Sequence, residues 1–365
     1  MKLIRILFAT SALTTLSNTY GTLPQGNILE KFNSSTQVMS NQECFNRRLK
    51  NENKSDVKVY KNREDNYKVE MLIVTSSVRE GCGDYSSVLD ALYPRGASVN
   101  YFVKSTGEVE VFVKSGLVAF VAGSSSWSGK KSNENKTPMG YSVMNEESES
   151  VMLDHPVYNK TKNLKIKGYD GPVQIKGCNF WWYPISEIQH EATCKLLVAL
   201  RDKYEIDDRF VVSLGDISDK GMIGVGPMFD WKKAREKYGL GVYPLKEVVT
   251  DGDLEKFNKL TFEDYIGMFK IFGYEEKENE EIVFFKYHFG RRNDAGVVMN
   301  LSQKLEDADK VDILNLMLNY YKDLKEKSEA LKPTEKDFMK KFKDFVTQHE
   351  KDTPALLAYS LARNA

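Results

Sequence analysis

The chain has 365 residues, a mass of 41.7 kDa, 52 basic and 52 acidic side chains, and four histidines. Hydrophobic residues at 41% and aromatics at 12% supply enough apolar surface for packed cores and exclude wholesale disorder. A balanced charge argues against a protein that grips nucleic acid by neutralising phosphates.

The N-terminus, MKLIRILFATSALTTLSNTYG, places Lys2 and Arg5 ahead of an uncharged apolar run at 6–16, followed by small residues. This is the pattern of a secretory signal peptide over residues 1–21, with Ser17 or Gly21 as the last residue removed. No cysteine follows the run to carry a lipid anchor, and no later stretch has the roughly 20 apolar residues of a membrane span. The expectation is a soluble exported protein, periplasmic or extracellular. In that oxidising setting Cys44, Cys82, Cys178 and Cys194 suggest one or two disulfides, with all three full pairings open.

Residues 22–66 are polar and read as a loosely ordered lead-in. Strand signals follow at 68–78, 99–105, 108–115 and 117–123, with Ser105, Thr106 and Gly107 as a hairpin link. Further strands are expected at 139–146 and 210–217, and loops at 124–137 and 147–177. Ser186 and Gln189 form a capping-box pattern ahead of Ile188, Ala192, Leu196, Ala199 and Leu200 at helical spacing. This mixture predicts an α/β domain over residues 67–250 with a mixed sheet flanked by helices.

A small all-helical unit is expected over 251–323. Its helices run from Phe262 to Gly273 and across 311–321. A charged linker and an amphipathic tail helix fill 324–365. Thr334 and Asp337 are read as its cap, and Phe338, Phe342, Phe345 and Val346 as its apolar face. That face must dock on this chain or on a partner protein.

Within residues 207–234, DDRFVVSLGDISDKGMIGVGPMFDWKKA, the residues Asp216, Ile217, Gly226, Pro227, Phe229 and Trp231 stand as they do in the metal-binding segment of zinc-dependent N-acetylmuramoyl-L-alanine amidases. Five upstream segments follow the same family pattern in order: 73–78, 96–109, 118–127, 137–145 and 180–189. Residues 284–296, FFKYHFGRRNDAG, with Phe-Gly-Tyr at 272–274, resemble the helical peptidoglycan-binding module appended to some of these amidases.

The resemblance implies a zinc held by two His and one Asp, with water in the open position and its pKa lowered to about 7. A Glu and a Lys would assist the proton transfers. At the equivalent positions this chain carries Thr75, Leu214 and Gly224 for the ligands, and Ser142 and Met222 for the Glu and Lys. Leucine and glycine have no side-chain donor, so no metal cofactor is expected. Backbone-shaping glycines and prolines persist where the chemical groups do not. The implied function is binding of peptidoglycan or muropeptides by a catalytically degenerate amidase-like protein.

The alternative is an active amidase with an unconventional metal site drawn from Asp216, Asp219 or His190. A third reading is an interaction protein whose tail helix holds a partner. Trp127, Trp181, Trp182 and Tyr183 could stack on sugar rings, against the alternative of core packing. His190 and Cys194, four apart on one helix, could be half of a metal site or a packed pair. His155 reads as solvated, His288 as packing, and His349 as a favourable charge at a helix C-terminus. Ser76, Ser77 and Ser213 lack a nucleophile-elbow context, and Cys82 suits a disulfide better than a nucleophile.

Overall fold

A computed structural model describes residues 60–62, 68–77, 97–131, 145, 147–154, 157–158, 173–175, 178–182, 185–219, 224–275, 280–290, 304–327 and 331–361. Its strands are β1 (Tyr60–Asn62), β2 (Met71–Ser76), β3 (Tyr101–Val103), β4 (Val109–Val111), β5 (Leu117–Ala119), β6 (Ser126–Trp127), β7 (Lys130–Lys131), β8 (Ser148–Leu153), β9 (Val157–Tyr158), β10 (Val173–Ile175), β11 (Cys178–Trp182) and β12 (Val211–Ser213). The helices are α1 (Glu187–Tyr204), α2 (Leu214–Ile217), α3 (Trp231–Tyr238), α4 (Phe262–Phe272), α5 (Glu280–Phe289), α6 (Asp307–Lys327), α7 (Pro333–His349) and α8 (Pro354–Leu361).

The five-stranded sheet has the order β12-β2-β8-β3-β4. Its first four strands are parallel and β4 closes antiparallel on β3. All six residues of β2 are buried, as a central parallel strand demands, and Leu72, Ile73 and Val74 meet that demand in sequence. The expected fold class is what the chain adopts: a mixed sheet flanked by helices, followed by a helical region. The β3–β4 hairpin turns where expected, with Gly107 at φ 82°. A Cβ there would lie 2.9 Å from the Ile188 side chain, so the turn needs glycine twice over.

Three expectations need correction. The run 117–123 is not a strand of the main sheet, because β5 pairs with β1. Residues 147–154 are not a loop, because β8 occupies the middle of the sheet. Its polar residues are buried and partnered: Ser150 Oγ donates to Asn100 Oδ1 at 3.0 Å, and Glu149 accepts from Ser115 Oγ, Gly116 N and Tyr204 OH. The polar interval 124–137 likewise contains the short β6–β7 hairpin. Residues 139–144, expected to be strand, lie outside the described residues, as do the leader and nearly all of the lead-in.

α1 lies over β2, β3 and β8. Ser186 caps it by accepting from Gln189 N at 3.2 Å. Gln189 does not complete the box, because its amide reaches the carbonyls of Val103 and Asp154 and ties the helix to the carboxyl ends of β3 and β8. In the helical region, α4 is capped reciprocally by Thr261 and Asp264 and stops at Gly273, as expected. α7 begins two residues earlier than a cap at Thr334 implies. Pro333 opens it, Lys332 N bonds to Glu335 Oε2, and Thr334 is released to bond Asp207. The apolar face of α7 docks on this chain: Phe338 packs edge-on to Tyr320, and Phe342 on Tyr321. One continuous cluster of buried apolar residues runs from Val69, just before β2, to Leu356 in α8.

Candidate functional site

Parallel sheets offer ligands the carboxyl ends of their strands. Thr75 and Ser76 end β2, and Ser213 ends β12 one residue before Leu214. The register sets Ser213 beside Val74. Gly224 closes the group: its carbonyl accepts from Ser76 Oγ at 2.6 Å, while Ser213 Oγ accepts from Val225 N at 3.2 Å and from Gly215 N at 3.3 Å. Gly224 therefore lies against Ser76 at the end of β2 and against the turn that follows β12.

The chemistry at that place does not fit zinc. Thr75 is 3% exposed and Leu214 1%, so a buried hydroxyl and a buried isobutyl group stand there. Gly224 has φ 61°, and a Cβ built on it would lie 2.0 Å from Ser213 Oγ and 2.6 Å from Gly215 N. The backbone has closed over the space that a third ligand's side chain would need. Ser142 and Met222 lie outside the described residues.

The substitute ligands considered from sequence are dispersed and already engaged. Asp216 Oδ2 accepts from Ser213 N at 2.7 Å and pairs with His288 Nδ1 at 2.9 Å, and its Oδ1 accepts from Tyr274 OH at 2.9 Å. Burial, then the adjacent Asp216 charge, push the Tyr274 hydroxyl well above its usual range and keep it a donor. Asp219 accepts from Ser124 Oγ and Ser126 Oγ at 3.0 and 2.7 Å. His190 bonds the Asp230 carbonyl through Nε2 at 3.0 Å and lies against the Phe229 ring. Among the described residues no group of three or more His, Cys, Asp or Glu side chains is placed to hold a metal ion.

His190 and Cys194 form a packed pair, with Sγ 3.7 Å from Nδ1. Cys194 is a free thiol, so no disulfide includes it; the side chains of the other three cysteines lie outside the described residues. Burial pushes the thiol far above its ordinary range and lowers His190 below its own. The protein and its Cys194→Ala variant are therefore expected to consume a thiol reagent at the same native rate. Denaturation should then release one extra reactive thiol in the protein. A native difference of one fast thiol would contradict this burial.

Trp127 is 1% exposed, lying across Gly273, with Tyr274 and Phe272 edge-on at 4.9 and 6.2 Å. It takes the core-packing alternative and offers no open face for a sugar. Trp181 and Trp182 are placed on β11, but their side chains and all of Tyr183 lie outside the described residues, as does His155. His349 bonds the Phe345 carbonyl and Asp264, so it holds α7 to α4 beyond any dipole effect. Sequence reading gives Tyr274 no role and takes His288 as packing; the His288 ring is indeed stacked on Trp231 and Phe289, but both residues also bond Asp216. Their only signal was membership of the 272–274 and 284–296 segments, which says nothing about a bond to Asp216.

No protein-family model and no curated protein matches the sequence. Solved structures do match. The N-acetylmuramyl-L-alanine amidase AmiD from E. coli, determined with its substrate anhydro-N-acetylmuramic acid-L-Ala-D-gamma-Glu-L-Lys, is 18% identical with a TM-score of 0.51. That match covers 70% of this chain and 92% of AmiD. AmpDh3 from Pseudomonas aeruginosa, determined with anhydromuramic pentapeptide, is 15% identical with a TM-score of 0.52, over 70% of this chain and 95% of AmpDh3. The chain thus has the fold of an N-acetylmuramyl-L-alanine amidase structure over nearly that structure's whole length.

Proposed function

We propose that this chain is an exported protein that binds peptidoglycan or muropeptides in an amidase-type groove without cleaving them. The observation that carries the reading is the fold shared with a muropeptide-bound amidase, with Gly224 packed against Ser76 and the Ser213–Gly215 turn at the carboxyl ends of β2 and β12. Hydrolysis in such a groove needs a polarised carbonyl and an activated water, both supplied by the metal. A threonine hydroxyl, a leucine and a glycine supply neither. Groove contacts from loops and backbone do not depend on the metal, so binding outlasts the loss of chemistry.

The rival reading, an active amidase with a recruited metal, asks Asp216, Asp219 or His190 to leave partners at 2.7–3.0 Å. The test uses the purified full chain and insoluble peptidoglycan. The expected outcome is co-sedimentation, no release of stem peptides and no stoichiometric zinc by elemental analysis. Released stem peptides with bound zinc would establish the rival. Absence of co-sedimentation would favour an interaction protein with an unused groove.

A further inference from the structure

The carboxylate of Asp216 joins the candidate site to the helical region through buried hydrogen bonds. It sits on α2, the single turn that follows β12 and begins with Leu214. Within its own segment it closes the turn reciprocally: Ser213 N donates to Oδ2, and Ser213 Oγ accepts from Gly215 N. The same Ser213 Oγ holds Val225 N, and so fixes Gly224. Asp216 therefore governs the shape of both the 213–217 turn and the return segment at 224–225.

The other bonds to Asp216 come from far along the chain. Tyr274 follows the C-terminus of α4, and His288 is on α5. His288 is 2% exposed, its ring stacked at 3.9 Å on Trp231 and at 4.0 Å on Phe289. For Nδ1 to donate to Asp216 the ring carries its proton there, and Nε2 has no hydrogen-bond partner among the described residues. Burying an imidazole with one nitrogen unsatisfied is unfavourable, so the bond to Asp216 is what orients the ring.

We propose that Tyr274 and His288 are positioning residues: through Asp216 the helical region holds the turn that forms one wall of the binding groove, and occupancy of the groove is coupled to docking of α4 and α5. The ligand-binding arm of this inference rests on the peptidoglycan-binding reading above; the coupling arm does not. The helical region is on this view part of the site's framework, whatever else it contacts.

The variants are Tyr274→Phe, which deletes one oxygen and keeps the ring packed, His288→Leu, which deletes the donor, and His288→Asn, whose amide replaces Nδ1. Hydrogen exchange is followed at the amides of residues 213–217 in the full chain, with urea unfolding as the measure of global stability. Tyr274→Phe and His288→Leu should speed exchange at 213–217 on the order of tenfold beyond any change at the amides of β2 and β8. His288→Asn should restore protection. Co-sedimentation with insoluble peptidoglycan should weaken severalfold in the first two and recover in the third.

Exchange at 213–217 that merely follows global stability, or equal effects of His288→Leu and His288→Asn, would overturn the proposal. If the unmodified protein does not sediment with peptidoglycan, the functional reading fails while the exchange arm still decides the coupling.

Discussion

Gly224→Ala is expected to destabilise the protein by about 3 kcal/mol, and Gly224→Asp by at least as much. Two costs combine. A residue with a Cβ at φ 61° pays roughly 1–2 kcal/mol for the left-handed conformation. The Cβ also enters a space bounded by Ser213 Oγ at 2.0 Å and Gly215 N at 2.6 Å. Overpacking of this kind costs about 1–3 kcal/mol. Relief by swinging Ser213 away would break its bonds to Gly215 N and Val225 N. Urea unfolding should show a lower midpoint at unchanged slope, and a change within about 0.5 kcal/mol would refute the packing described.

The same geometry bears on chemistry. A triple variant Thr75→His, Leu214→His, Gly224→Asp supplies the right donor types. It is nevertheless expected to purify without stoichiometric zinc, because the backbone at 224 has no room for the third side chain. Stoichiometric zinc in that variant would show the groove to be more adaptable than its bonds imply. The missing side chain at 224 and the closed backbone go together: the Gly224 carbonyl accepts from Ser76 Oγ, and Val225 N bonds Ser213 Oγ.

Much of the α/β half was legible because its signals are local. β2 is a continuous apolar run, the 105–107 link contains the glycine that its turn requires, and α1 shows both a cap and a periodic face. β8 was illegible for the opposite reason. Glu149 and Ser150 look like loop residues until Asn100, Ser115 and Tyr204, up to 55 residues away, bond them inside the sheet. For the candidate site, family resemblance singles out Thr75, Leu214 and Gly224 as positions without coordinates. That Leu214 and Thr75 are buried and that Gly224 is pressed against Ser213 depends on backbone closure, which no local pattern records. The bonds from Tyr274 and His288 to Asp216 span 58 and 72 residues, and polar partnerships at such separations leave no periodicity to read.

The largest effect outside the site is expected at Asp207, where Asp207→Ala should cost about 3–5 kcal/mol. Its carboxylate is buried and accepts from Arg209 N and Arg209 Nη2 at 3.0 and 3.3 Å, from Tyr320 OH at 2.8 Å and from Thr334 Oγ1 at 2.8 Å. Those donors belong to the segment before β12, to α6 and to α7, so one carboxylate joins three elements. Removing it strands the Arg209 guanidinium, 1% exposed, among Phe210, Tyr320 and Phe338. A charge left unpaired in such surroundings is the dominant cost, larger than the bonds themselves. Replacing both partners, Asp207→Leu with Arg209→Met, should therefore recover a substantial part of the loss, and a double variant no more stable than Asp207→Ala would refute that account.

Acid supplies an independent check. Burial opposes ionisation of Asp207, but the Arg209 charge and the bonds from Arg209 N, Tyr320 and Thr334 outweigh it and hold the pKa below its ordinary 3.8. A carboxylate depressed in the folded state contributes stability above its unfolded pKa and loses it as pH falls toward the folded value. The stability gap between the protein and Asp207→Asn should thus be full at neutral pH and begin to close only below about pH 4. A gap that stayed constant down to acid unfolding would mean that Asp207 acts through packing alone, and that the tail helix is held by its phenylalanines rather than by this ionised cluster.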